Sequence, residues 1–266
     1  GVLDTAVTPM GRRLLGQWIN QPLLDKGRIE ERLDGVGFFF EQGLLRAELR
    51  AALKPLADLE RLTNRTAGRS ATPKDLAVLR ETLRVLPGIL TLLGDSPLPL
   101  LGEGPGVRAL DPCPDLLSLL AAALADDPPA VLGKPGILRP GYSAELDGVL
   151  SASQHAREWI AGLEAAERSR TGIKSLKVGY NKVFGYYIEL SKGAAREAPP
   201  EYIRKQTLVN AERYITPEMK EYETLVLNAE ERVLEIERRL FYELLTQIAA
   251  QSARLLATAR ALARLD

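Results

Sequence analysis

Residues 171–223, TGIKSLKVGYNKVFGYYIELSKGAAREAPPEYIRKQTLVNAERYITPEMKEYE, interrupt a chain whose other segments carry mostly helical patterns. Between residues 174 and 190 this stretch is rich in Val, Tyr, Phe, Ile and Leu, which favour strands. The turn-prone pair Asn181-Lys182 and Gly185 divide it. The pattern therefore predicts two antiparallel strands joined by a short turn.

A second pair of strands is predicted in the same stretch. Residues 202–207 and 212–215 have strand composition and flank the turn-like pair Val209-Asn210. The whole stretch is then a small antiparallel β unit between helices. What this unit contacts decides the function.

The segments before the β unit predict short-looped amphipathic helices. Thr8 and Thr72 each precede a proline, which is the pattern of a helix N-cap followed by proline in the first turn. Further helices are predicted from about residue 25 to 52, from Pro55, from 116 to 124 and from 143 to 168. The Pro/Gly-rich residues 94–114 predict a surface loop or a partly disordered segment without a core of its own. Together these segments indicate an all-α bundle.

Residues 218–266 contain no glycine or proline, and their apolar residues keep helical spacing. They predict one helix of roughly 49 residues, about 70 Å long. With the helix before the β unit, it would form two long antiparallel helices that carry the β unit. The predicted fold class is mainly α with a small antiparallel β unit. The predicted domains are residues 1–138, an inserted domain at 139–230, and a return to the first domain at 231–266.

Composition excludes several classes of protein. No apolar run approaches the ~20 residues of a membrane-spanning helix, and no signal peptide opens the chain. A single cysteine, Cys113, excludes an internal disulfide framework and favours a reducing cytosol. With one histidine, His155, outside any motif, no catalytic, cofactor or metal site is expected. The start at Gly1-Val2 is typical of a domain cut from a longer protein.

Charge is unevenly distributed although the chain as a whole is neutral, with 35 basic and 35 acidic residues. Residues 171–215 hold eight basic and four acidic side chains, a net charge of +4. Residues 216–243 hold four basic and eight acidic ones, a net charge of −4. The basic β unit therefore favours a polyanionic partner.

Three blocks in matching order carry a family resemblance. The first is LDTAVTPMGRRLLGQWINQPL (3–23) with IEERLDGV (29–36), and the second is DLERLTNRTAGRSATPKDLAVLRETL (58–83). The third is RPGYSAELD (139–147) followed by GIKSLKVGYNKVFGYYIELSK (172–192) and YIRKQTLVNAERYITPEMKEYE (202–223). With these blocks the chain resembles the MutS family of DNA mismatch-recognition proteins. The match covers that family's lever (core) domain and the clamp domain inserted into it. Residues 1–138 and 231–266 correspond to the lever, and residues 139–230 to the clamp.

The resemblance implies a DNA clamp. In the family, two protomers enclose double-stranded DNA, each clamp contacts the sugar–phosphate backbone, and the lever couples the clamp to an ATPase domain. ATP and Mg²⁺ belong to the full-length protein, and a MutL-type protein is its expected partner. These 266 residues lack the GxxxxGK[ST] phosphate loop, so neither enzymatic activity nor a cofactor is expected of them. The expected location is cytoplasmic, and nucleoid-associated if the source is bacterial.

Candidate DNA-contacting residues follow from the family motif. Asn181 and Asn210 match clamp asparagines that contact the DNA backbone, while Val209 stands where many relatives have lysine. One phosphate contact is therefore either missing or shifted to a neighbouring base. The candidate backbone-binding residues are Asn181, Asn210, Lys182, Arg204, Lys205 and Arg213. A purely local turn role is the alternative for each asparagine, and a solvated surface position is the alternative for each base.

Two other functions remain open from the sequence. A structural coiled-coil adaptor whose β unit binds protein would also explain the long helices and the neutral charge. A MutS homologue acting on branched or recombining DNA would share every feature of these residues. Replacing the four basic candidates by glutamate in the full-length protein separates the clamp from the adaptor. Lost DNA retention supports the clamp, whereas intact DNA binding with lost partner binding supports the adaptor.

Overall fold

Nine α-helices and four β-strands occur in the residues that the computed structural model describes, 4–94, 110–183 and 185–266. The helices are α1 Pro9–Asn20, α2 Lys26–Glu41, α3 Gly43–Leu53, α4 Leu59–Ala67, α5 Pro73–Leu93, α6 Pro114–Ala123, α7 Ala144–Thr171, α8 Pro217–Ala249 and α9 Ser252–Leu265. The strands are β1 Lys177–Asn181, β2 Gly185–Ser191, β3 Ile203–Thr207 and β4 Ala211–Ile215. The predicted fold class, mainly α with a small antiparallel β unit, is confirmed. Most of the predicted 94–114 loop lies outside the described residues.

Internal packing divides the chain into two units. Unit 1 comprises Gly1–Tyr142 and Arg238–Asp266, and unit 2 comprises Ser143–Glu237. Helix α8 contributes residues to both. The predicted domain boundaries lie a few residues from these, and the assignment of lever and clamp to the two units stays a prediction.

The predicted N-caps in unit 1 are present. The Thr8 hydroxyl accepts a hydrogen bond from the Gly11 amide at 3.0 Å. Thr72 and Asp75 form a complete capping box, in which the Thr72 hydroxyl accepts from the Asp75 amide and the Asp75 carboxylate accepts from the Thr72 amide. Each cap satisfies amides that the first helical turn leaves without a partner. These local signals were sufficient to place α1 and α5.

The core of unit 1 is built from leucines, among them Leu53, Leu59, Leu79 and Leu83, which are fully buried. The two ends of unit 1's sequence are also joined. The Asp266 carboxylate accepts hydrogen bonds from the Val7 and Thr8 amides at 2.8 and 2.7 Å. The chain therefore closes the bundle by a polar contact as well as by apolar packing.

Two helix predictions in the first third of the chain were wrong. The stretch from 25 to 52 forms two helices, because Gln42 leaves the helical conformation with φ −93° and ψ 59°, so that α2 ends at Glu41 and α3 begins at Gly43. No helix begins at Pro55. The next helix begins at Leu59, because the Asp58 carboxylate caps it by accepting from the Arg61 amide at 3.0 Å. An acidic cap thus decided this start.

The single helix predicted over 218–266 was also wrong. It is divided into α8, which ends at Ala249, and α9, which begins at Ser252. At the break the Ser252 hydroxyl donates to the Ala249 carbonyl at 2.6 Å, and the Gln251 amide donates to the Ile248 carbonyl. Short side-chain-to-backbone bonds of this kind compete with the helical ladder. Because neither glycine nor proline is involved, the apolar spacing gave no warning of the break.

Helix α2 differs from the prediction in a second way. Its helically spaced apolar residues were expected to face the bundle, but Leu33, Val36 and Phe40 are 62%, 66% and 78% exposed. Val36 and Phe40 border an open cavity that residues of α1, α3 and α9 also line. Periodicity identified the helix correctly and misidentified its environment.

Unit 2 combines two helical segments with the sheet. Helix α7 and the first part of α8 run antiparallel, with Ala156 and Ile160 packed near Val226. The rings of Trp159 and Tyr222 stack with centroids 4.1 Å apart and planes at 17°. Such aromatic pairs add about 0.5–1.5 kcal/mol to the energy of burial.

The sheet of unit 2 has the strand order β1-β2-β4-β3, with all neighbours antiparallel. One face packs on the helices, since Ile188, Leu190 and Tyr214 share a buried cluster with Leu163 and Met219. A short 3₁₀ turn lies in the connection from β2 to β3. All four predicted strands are therefore confirmed, in two hairpins.

Candidate nucleic-acid interface

The β1–β2 hairpin carries the first two candidate residues. Asn181 is the last residue of β1 and is in register with Gly185. Its side-chain oxygen accepts a hydrogen bond from the Val183 amide at 2.7 Å, so the amide side chain shapes the turn. Lys182 is exposed in that turn, and no ion pair within the described residues engages it. The turn role proposed as the alternative for Asn181 is therefore present.

The β3–β4 connection carries the third candidate. The Leu208 amide donates to the Ala211 carbonyl at 2.8 Å, which leaves Val209 and Asn210 as the exposed residues of a tight turn. Lys192 supports this turn from the end of β2. Its amide donates to the Asn210 carbonyl at 3.1 Å, and its ammonium group lies 3.5 Å from the Val209 carbonyl.

Strand register places these two turns at opposite ends of the sheet. The β1–β2 turn adjoins Gly185 at the start of β2, whereas Ala211, which follows the β3–β4 turn, pairs with Ser191 at the end of β2. Six residue steps of an antiparallel strand span about 20 Å. Asn181 and Asn210 are therefore separated by the length of β2.

The two candidate arginines differ in availability. Arg213 donates to the Glu189 carboxylate at 2.8 Å and to the Gln206 side chain at 3.0 Å, and its guanidinium lies 4.3 Å from the Tyr187 ring centroid. It is held within the sheet. Arg204 is more exposed and lies 3.6 Å from Glu212, a loose pair. Arg204 is therefore the freer of the two.

Glu212 has a closer partner than Arg204. The Tyr214 hydroxyl donates to its carboxylate at 2.6 Å. Burial, with the hydrogen bond to Glu212 as the second cause, raises the pKa of Tyr214 to about 12. The carboxylate is thus partly occupied by a neutral donor, which weakens its hold on Arg204.

Lys205 occupies an irregular position in β3. The register with β4 shifts between Arg204 and Gln206, so Lys205 is the extra residue of a bulge on an edge strand. Bulged residues are removed from the regular ladder and are common where a side chain is redirected. Lys205 is exposed, and no ion pair among the described residues involves it.

Four further bases of unit 2 were counted in the sequence but not chosen as candidates. Within the described residues they are exposed and have no ion-pair partner: Lys174, Lys177, Lys192 and Arg196. The excess of positive charge was the only signal for them. The sheet and its connections therefore present several basic side chains that have no ion-pair partner among the described residues. Two of them, Lys182 and Lys205, are also candidate DNA-contacting residues from the sequence.

Other chemistry has little support in the described residues. They contain no cluster of three or more His, Cys, Asp or Glu side chains that could hold a metal ion. Cys113 is buried, and burial raises the pKa of its thiol to about 12. Such a thiol is a poor nucleophile at neutral pH. His155 is exposed on α7. Among the helices that the structure describes, none is long and apolar enough to cross a membrane.

The arrangement thus defines a class of protein, a helical bundle with an inserted antiparallel sheet that carries a positive surface. Comparison with known proteins assigns its family. The family model for MutS domain III matches residues 1–266. The chain is 46% identical over 266 residues to the DNA mismatch repair protein MutS of Dehalococcoides mccartyi. It is 47% identical over 265 residues to that of Salinibacter ruber and 47% identical over 266 residues to that of Symbiobacterium thermophilum.

These alignments cover 100% of the chain in each case. The chain belongs to the MutS family of DNA mismatch repair proteins. It spans 31%, 29% and 30% of the length of these three relatives. The family assignment therefore covers every residue of the chain and one third or less of each related protein.

Proposed function

We propose that this chain is the DNA-holding and conformation-transmitting module of a MutS-type mismatch repair protein. Unit 2 contacts the sugar–phosphate backbone of double-stranded DNA through its sheet, and unit 1 passes conformational change to the rest of the protein. Contacts of this kind position a protein on a duplex without selecting a sequence. Family membership supports the repair role, and the charges of the sheet support the DNA contact.

One observation carries the proposal: Lys182 and Lys205 are exposed and have no ion-pair partner among the described residues. A lysine without a carboxylate partner can neutralise a phosphate without first breaking an ion pair. Asn181 and Asn210 offer short polar side chains in the two turns, suited to a phosphate oxygen. Because the turns are about 20 Å apart, they would contact different phosphates of the duplex.

The proposal extends to the protein from which the module comes. Its other domains would bind ATP and Mg²⁺, a second MutS protomer would complete the enclosure of the duplex, and a MutL-type protein would be recruited. The module itself would perform no chemistry and would work in the cytoplasm, on the nucleoid in a bacterium. Family membership supports these expectations.

Charge reversal in the full-length protein tests the DNA contact. The Lys182→Glu/Lys205→Glu double variant removes two phosphate contacts. At 0.15 M salt we expect about thirtyfold weaker binding to duplex DNA, and we expect the slope of log K against log[salt] to fall by about 2. Fluorescence anisotropy on a homoduplex and on a mismatched duplex measures both quantities.

The matched control is Lys54→Glu, which reverses an exposed lysine of unit 1. It should leave affinity and salt slope close to those of the wild type. If the double variant binds duplex DNA as tightly as Lys54→Glu does, the sheet is not the DNA-contacting surface. Loss of a protein partner with intact DNA binding would favour the adaptor function.

A further inference from the structure

A buried carboxylate lies directly against the β1–β2 turn. Gly185 opens β2 with a positive φ of 82°, a conformation that favours glycine. A Cβ atom at this position would collide with the carboxylate of Glu223 from α8. The Glu223 carboxylate therefore occupies the space that a side chain at position 185 would need.

The burial of Glu223 requires an explanation. The residue is only 7% exposed, and its described ion-pair partner is Lys220, one turn earlier on α8, at 2.5 Å. An i,i+3 pair on a helix surface contributes about 0.2–0.5 kcal/mol. Removing a carboxylate from water costs several kcal/mol. The pair does not explain why the acid is placed inside.

The part of α8 that carries Glu223 is firmly held. Met219 is fully buried in the cluster beneath the sheet, and Tyr222 stacks on Trp159. The carboxylate is thus fixed between a packed helix and the backbone of Gly185. Because Gly185 is in register with Asn181, the contact lies at the closing pair of the hairpin that presents Lys182.

We propose that Glu223 is a positioning residue for this hairpin. Seated on Gly185, its carboxylate fixes the turn that holds Asn181 and Lys182 to α8, so that turn and helix keep one relative position. This inference rests on the proposed DNA contact for its functional consequence, while its structural consequence is independent of DNA. Glycine is required at 185 because any side chain would displace the carboxylate.

Hydrogen exchange and DNA binding of the full-length protein test the proposal together. In Glu223→Ala we expect amide exchange at Lys182, Val183 and Gly185 to be about tenfold faster without DNA, with no change at Ile188 and Leu190. Duplex affinity should fall about as far as in Lys182→Ala. Glu223→Gln retains the shape and loses the ion pair, so it should give a smaller acceleration and serves if the alanine variant fails to fold.

Two comparisons make the test specific. Glu221→Gln, an exposed acid of the same helix, should change neither exchange nor affinity. Gly185→Ala displaces the carboxylate and also strains a positive φ, so it should accelerate the same amides more than Glu223→Ala does; adding Glu223→Ala should accelerate them no further, because that contact is already lost. Two independent contacts would give rate increases that multiply.

The outcomes separate the two proposals. Unchanged exchange in Glu223→Ala, or acceleration throughout β2, overturns the positioning role. Local acceleration with wild-type affinity in both Glu223→Ala and Lys182→Ala supports the positioning role and overturns the DNA contact of this turn. Local acceleration with weakened affinity supports both.

Discussion

Paired arginines of unit 1 and exposed lysines of the unit 2 sheet are in contrasting surroundings. In unit 1 arginines bind groups of the protein itself. Arg13 donates to Asp58 at 2.8 Å and to Glu60 at 2.7 Å, and Arg254 contacts two aspartates. In the sheet of unit 2, Lys182 and Lys205 have no such partner among the described residues. The first group holds a bundle together, and the second is available to an external anion.

Titration behaviour reflects the difference. Hydrogen bonds from Arg13 hold the pKa of Asp58 below its usual range, and those from Arg254 do the same for Asp111. A carboxylate whose pKa is lower in the folded than in the unfolded protein stabilises the folded state at pH values above the unfolded-state pKa. This contribution is lost as the pH falls through the folded-state pKa. Arg13 and Arg254 thus stabilise the folded state through these carboxylates, whereas Lys182 and Lys205 have no such carboxylate partner among the described residues.

Arg80 gives the largest test of this contrast. It is 4% exposed and donates to the main-chain carbonyls of Ala125 and Asp126, each at 3.0 Å. Arg80→Leu leaves these carbonyls without a charged donor. We expect the free energy of unfolding to fall by about 3 kcal/mol, measured by equilibrium urea unfolding of the chain.

The control for this change is Arg84→Leu, one turn further along α5. Arg84 is exposed and pairs only with Glu81 at 2.7 Å among the described residues. The stability change should stay within about 0.5 kcal/mol. An equal loss in both variants would show that burial does not distinguish these arginines.

Arg213 and Lys205 test the contrast inside the sheet. Arg213→Gln removes the ion pair with Glu189 and the contact with the Tyr187 ring. We expect about 1.5 kcal/mol lower stability and an unchanged salt slope of DNA binding.

Lys205→Gln should leave stability unchanged and weaken duplex binding about fivefold at 0.15 M salt. Urea unfolding and anisotropy titrations measure the two effects. The reverse assignment of effects would contradict the distinction between held and free bases.

Val209→Lys gives the smallest expected effect. Val209 is 84% exposed in the β3–β4 turn, next to Asn210. A lysine there adds one phosphate contact, so duplex affinity should rise about threefold and the salt slope should steepen by about 1. Val209→Gln, which is polar and uncharged, should leave the slope unchanged. Equal salt slopes for the two variants would exclude this turn from the interface.

Local sequence signals predicted much of the fold. The four strands were placed within a few residues, because alternating strand formers and turn residues act over short distances. The caps at Thr8 and Thr72 were found for the same reason. The break between α8 and α9 was missed, because it depends on hydrogen bonds of Ser252 and Gln251 that periodicity does not record.

The candidate site was predictable in composition but not in geometry. The sequence by itself determined an excess of positive charge in one β unit, the two turn asparagines and the family motif that contains them. Only the tertiary structure decided which bases are engaged, because Arg213 meets Glu189 through the pairing of β2 with β4. Strand register also separated Asn181 from Asn210, and α8 brought Glu223 to Gly185. These contacts join residues distant in sequence, so no local pattern could reveal them.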